Sequence, residues 1–193
     1  MSVRRVPLWL ALAGALSAAA CGDPPEKEMQ QAQTAIESAR AAGADEYSHD
    51  EFAGAEDALK RAREAVDQRD YRLALNNALD ARERAQNAAR DATDKKNAAR
   101  ANAERELLDA MTALNDAHAK LRTAETNRVP ARTLAGPKRE IAGSEQAVQK
   151  ARAAFDRGDY PAALTASRQI SARLRATADQ LTAASAAGPK RRR

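Results

Sequence analysis

Two stretches of this chain, 89 residues apart, share about half of their positions without a gap. Residues 51–75 read EFAGAEDALKRAREAVDQRDYRLAL, and residues 140–164 read EIAGSEQAVQKARAAFDRGDYPAAL. The matched positions include Gly54/Gly143, Ala62/Ala151, Asp67/Asp156, Asp70/Asp159 and Tyr71/Tyr160. An internal repeat of this length limits the fold to two related units, each built from the same elements. In each stretch, larger or apolar residues fall three and four apart, the spacing of a buried helix face. They are Phe52, Ala55, Leu59, Ala62 and Val66 in the first, and Ile141, Ser144, Val148, Ala151 and Phe155 in the second.

Each stretch then turns. Asp70 and Asp159 stand where a helix N-cap belongs. Gly158 suits the left-handed residue that ends a helix, and Pro161 falls in a first helical turn, where its missing N–H costs nothing. Tyr71 and Tyr160 are expected to lay their rings across these turns with the hydroxyl in water. After the second turn, Tyr160, Ala163, Ser167, Ile170, Leu174, Thr177 and Leu181 continue the spacing. Ser167 and Thr177 dilute it, which predicts a weaker core face than that of the helix before.

A further helix is expected before each hairpin. The first runs over 26–42 with Ala32, Ile36 and Ala39 on one face, then Gly43 and a loop over 44–49. The second carries Leu107, Met111, Leu114, His118 and Leu121, with a break from Asn127 through Pro130 to Gly136 and Pro137. No Gly or Pro interrupts 71–128, which predicts one continuous central helix. Its middle, 90–97, is polar all round and suits a solvated joint. The expectation is an all-α chain: an elongated antiparallel bundle of two tandem three-helix, spectrin-like units sharing the long central helix. About a quarter of the residues are Ala and only 3% are aromatic, which fits long helices with thin cores. The expected divisions are a signal peptide over 1–20, a tether over 21–28, helical units over 29–99 and 100–183, and a basic disordered tail over 184–193.

The N-terminus bears on location. Arg4 and Arg5 precede an apolar run over 6–16, then small residues lead to Cys21, the lone cysteine. That order is a secretory signal. A thiol directly after Ala18, Ala19 and Ala20 looks like a bacterial lipoprotein box, in which Cys21 is acylated and becomes the new N-terminus. Two or three acyl chains give stable anchoring where one is marginal. Ala18-Ala19-Ala20 also fits an ordinary Ala-x-Ala cleavage site, which leaves a soluble periplasmic protein as the alternative. Gly22, rather than Asp, after the cysteine points to the outer membrane facing the periplasm.

The run from Ala35 to Ala44 (AIESARAAGA), then Tyr47, Phe52, Ala55, Leu59 and the RDYRLA segment over 69–74, resembles the bacterial lipoproteins grouped as domain of unknown function family 4398. The resemblance covers roughly 29–89 and recurs more weakly in the second stretch. It implies an envelope-anchored helical domain and brings no catalytic residues with it. The turn at Gly158 also resembles part of a tetratricopeptide repeat, but the 89-residue period speaks against such an array.

Chemistry is sparse. His49 lies among Asp45, Glu46, Asp50 and Glu51, which reads as a solvated helix start favoured by the helix dipole. His118, on the apolar stripe of the long helix, reads as a core or edge residue rather than a ligand. With two His, one Cys and no Gly-rich phosphate loop, no enzyme, cofactor or metal is expected. The net charge is +5. Without Arg4, Arg5 and the four cations Lys190, Arg191, Arg192 and Arg193, 26 of the 32 basic residues remain against 27 acidic ones. The body is therefore nearly neutral, which argues against a nucleic-acid partner. The C-terminal cluster reads either as a solubilising tail or as a contact for an anionic envelope polymer or lipid. The expected partners are a membrane, reached through the lipid anchor, and a protein or cell-wall component. No small-molecule substrate is evident.

Overall fold

The computed structural model describes residues 23–187, and every element among them is helical. In chain order they are α1 (Glu26–Ala41), α2 (Ala44–Tyr47), α3 (His49–Asp67), α4 (Tyr71–Thr126), α5 (Ala131–Asp156) and α6 (Tyr160–Ala186). The chain divides into two compact units at Asp94/Lys95. This division falls inside α4, which runs without a break. Residues 93–98 around it are all exposed.

In the first unit α1 and α3 run antiparallel, since Arg63 donates to Gln33 (2.7 Å) near one end and Arg40 pairs with Glu56 near the other. The first part of α4 runs antiparallel to α3 and parallel to α1, with Arg84 beside Glu51 at 3.5 Å and Arg82 donating to Gln31 at 2.7 Å. The second unit repeats the topology. The rest of α4 is antiparallel to α5 (His118 to Glu145, 2.9 Å; Lys138 to Glu125, 2.6 Å) and parallel to α6 (Arg168 to Glu106, 2.9 Å).

The expected faces are buried. Ala32, Ile36 and Ala39 line α1, Phe52, Ala55, Leu59 and Ala62 line α3, and Ile141, Ser144, Val148 and Ala151 line α5. Val66 and Phe155 close the last two stripes half-buried.

Five expectations need correction. The 44–49 loop holds a helical turn, α2, because Gly43 (φ 87°) reverses the chain tightly enough for Ala44 to bury at once. The hydroxyl of the buried Ser48 then reaches across to Asp91 Oδ2 (2.7 Å) and ties this junction to α4.

The break before α5 is also shorter than expected. The helix starts at Ala131 and runs through Pro137. Pro137 removes one backbone donor. Starting early buries Leu134 in line with Ile141 and Val148, a gain of about 1.5–3 kcal/mol for a full aliphatic side chain.

The α6 face is not the weaker one. Ala163, Ser167, Ile170, Leu174, Thr177 and Leu181 are all buried, and Ile170, Leu174 and Leu181 are among the largest fully buried side chains. Thr177 avoids a penalty by donating to Arg173 O of the preceding turn (3.0 Å).

In the second half of α4 the buried line runs through Ala103, Leu107, Ala110, Ala113, Ala117 and Ala124. That leaves Met111 exposed and His118 at the edge. Large apolar residues marked the face in sequence, but alanines occupy the close contacts. At the C-terminal end α6 extends to Ala186, into the stretch expected to be tail.

Candidate functional site

Three helix ends share one hydrogen-bonded geometry, in which the residue past the helix adopts the left-handed conformation. After α3, Arg69 N–H donates to Val66 O (2.8 Å) and Asp70 N–H to Ala65 O (2.9 Å). After α4 the pair is Arg128 to Glu125 and Val129 to Ala124, both 3.0 Å. After α5 it is Gly158 to Phe155 (2.9 Å) and Asp159 to Ala154 (3.0 Å). These are Schellman closures. Glycine fills the left-handed place only at Gly158 (φ 84°). Arg69 (φ 60°) and Arg128 (φ 55°) fill the others, at a steric cost glycine would not incur.

The expected turn residues take their expected roles. Asp70 Oδ1 accepts from Leu73 N–H (3.0 Å) to cap α4, and Asp159 Oδ1 accepts from Ala162 N–H (3.1 Å) to cap α6. Tyr71 and Tyr160 are half-buried, and the Tyr160 ring meets Phe155 edge-on, with centroids 5.4 Å apart. Cys21 lies outside the described residues, as do Lys190, Arg191, Arg192 and Arg193. His49 is exposed at the start of α3, and His118 Nε2 faces Glu145 Oε1 at 2.9 Å. Among the described residues, no three His, Cys, Asp or Glu side chains are grouped to hold a metal ion, and no helix is long and apolar enough to cross a membrane.

One feature escaped the sequence reading. Between α1 and the first part of α4 lies a groove of about 500 Å³, lined by Gln30, Gln31, Thr34, Ser38, Arg82 and Gln86 over a floor of Ala35 and Ala89. Arg82 bridges it to Gln31. Its walls offer amide and hydroxyl groups and one guanidinium. They can hold a peptide-like or carboxylate group, but they supply no nucleophile with a base beside it. The signal in the sequence was the row Gln30, Gln31, Thr34 and Ser38 on the solvent side of the Ala32–Ile36–Ala39 face. Such a row also suits an ordinary exposed helix surface.

Residues 27–106 match the family model of a domain of unknown function, DUF4398. The DUF4398 segment takes in α1, α2, α3 and α4 as far as residue 106, and so contains the whole polar groove. No curated protein and no solved structure matches the chain.

Proposed function

We propose that this chain is a non-enzymatic envelope lipoprotein, a helical spacer or adaptor. Acylated Cys21 holds it to a membrane, facing the periplasm from the outer membrane, while its helical surfaces meet a protein or cell-wall partner. The observation that carries the reading is the order of the N-terminus: two arginines, a short apolar run, small residues and then the lone cysteine. Support also comes from the DUF4398 match that follows directly after it. Changing Cys21→Ala should move the protein from the membrane fraction to the soluble periplasmic fraction. The native N-terminal peptide should carry acyl mass on Cys21, and a peptide without it ends this reading. In-cell crosslinking of the wild-type chain would then identify the partner.

A second reading, a soluble periplasmic binding or chaperone-like module, draws on the groove between α1 and α4. It predicts an unacylated chain, with ligand-dependent chemical shifts at Gln31, Ser38 and Arg82.

A further inference from the structure

The second unit has one end unlike the other helix ends among the described residues. The turn from α4 to α5 holds Arg128 and Arg132 and no carboxylate over residues 127–132. The other two Schellman turns each carry a pair, Asp67 with Asp70 and Asp156 with Asp159. Over residues 120–140 six cations (Lys120, Arg122, Arg128, Arg132, Lys138 and Arg139) stand against two carboxylates. Glu125 is taken by Lys138 at 2.6 Å, and Glu140 lies 3.9 Å from Arg173. Among the described residues, Arg122, Arg128 and Arg132 are exposed and face no carboxylate within ion-pair distance.

Local helix rules account for only part of this. Cations near the end of α4 offset the negative pole of that helix. Arg132 does the reverse, because it sits at the positive pole of α5. Glu26 and Glu28 open α1, Asp50 and Glu51 open α3, and Asp70 and Asp159 cap α4 and α6. Helix α5 starts from Pro130 with no side-chain cap and no acid in its first turn. Arg128 moreover holds a left-handed backbone that glycine would adopt without cost.

The tip is a compact charge. Arg122 precedes Arg128 by six residues and Arg139 follows Arg132 by seven, so at about 1.5 Å per residue each pair spans about 10 Å. That is about one screening length at 0.1 M salt. The end of α6 lies at the same tip. Leu181 shares a core cluster with Leu134 and Ala124, and Gln180 lines a groove with Gly136 and Pro137.

The groove beside the tip, lined by Gly136 and Pro137, is bordered by Glu140 and Arg173 and so carries charge of both signs. Exposed, unpaired positive charge on both sides of the turn complements an extended anionic surface. We propose that this tip of the second unit docks on an anionic lipid surface, its arginines pairing with headgroup phosphates. The proposal needs no acyl group and stands apart from the reading of Cys21.

The test uses the full chain with Cys21→Ala, so that no acyl group contributes. Vesicles of phosphatidylcholine, with or without phosphatidylglycerol, are sedimented with it at about 0.1 M salt. A tip variant carries Arg122→Gln, Arg128→Gln, Arg132→Gln and Arg139→Gln. A control variant loses the same charge through Lys60→Gln, Lys96→Gln, Arg100→Gln and Arg105→Gln. The phosphatidylglycerol-dependent affinity should fall by up to about a thousandfold for the tip variant and only a few-fold for the control. Replacing the same four arginines by lysine should keep binding, which guards against misfolding of the glutamine variant. Equal losses in tip and control variants, or no dependence on phosphatidylglycerol, would overturn the proposal. So would tip-dependent binding to purified cell-wall sacculi but not to vesicles, which would make the occupant a polymer.

Discussion

The two units share a topology but not a core. In the first, the face of α4 toward its neighbours is Ala74, Ala78, Ala81, Ala85, Ala88 and Ala92, all fully buried. In the second, the corresponding residues of α6 are Ala163, Ser167, Ile170, Leu174, Thr177 and Leu181. The core cluster of the first unit has three large side chains, Ile36, Phe52 and Leu59, among alanines. That of the second has Leu107, Leu134, Ile141, Val148, Ile170, Leu174 and Leu181. Alanine buries little area, so it stabilises chiefly by letting backbones approach closely, and interaxial distance follows side-chain size. The first unit supplements its thin core with cross-helix polar contacts (Ser48 to Asp91, Arg82 to Gln31, Arg63 to Gln33) and with the Arg40 guanidinium 5.3 Å from the centre of the Phe52 ring. One topology can thus be held by close approach or by bulk, and opposite substitutions at equivalent positions should destabilise the two units.

The strongest test exchanges equivalent residues. Leu174→Ala should cost about 2–5 kcal/mol, because the site is fully buried and a cavity remains. Thermal unfolding of the intact chain reads this, and an unchanged midpoint would mean that bulk does not hold the second unit. Phe155→Ala should cost less, since Phe155 is half-buried. Next in size is the reverse change, Ala85→Leu, which overfills a close helix contact and should destabilise by about 1–3 kcal/mol. Amide exchange in α1 and α3 should then accelerate while α5 stays protected. If Ala85→Leu stabilises, the first unit has room, and close approach is not what holds it.

A smaller effect sits at the Ala78/Ser167 pair. Ser167 is fully buried, and its Oγ has no hydrogen-bond partner. Replacing it with the alanine of the first unit should stabilise by about 1 kcal/mol, as the orphaned hydroxyl is removed. A loss of stability would point to an ordered water on that oxygen. The smallest change compares the turns. Arg69→Gly should gain up to about 1 kcal/mol and Gly158→Ala should lose about the same, because both positions have positive φ. Denaturant midpoints moving in the same direction would contradict this.

Repeat, spacing and turn chemistry were legible because they are local. Asp70, Asp159 and Gly158 act within a few residues of themselves, and an uninterrupted stretch without Gly or Pro could only be read as one helix. The α1, α3 and α5 faces were legible because Ile36, Phe52, Leu59, Ile141 and Val148 mark them. The α4 face was not, since alanine is equally at home on an exposed surface and at a tight contact, and Met111 drew the stripe off its true line. Pro137 misled in the same way. A local rule ends a helix there, whereas the burial of Leu134 depends on α4 and α6. The polar groove and the cationic tip share that limit. Gln31 and Arg82, or Arg122 and Arg132, are unremarkable one by one and gain meaning from the neighbours that packing sets beside them. Composition and periodicity fix helices and their ends through contacts a few residues long. Which alanines touch, which serine is stranded and which arginines gather depend on contacts between residues tens of positions apart, and only the packed helices supply those.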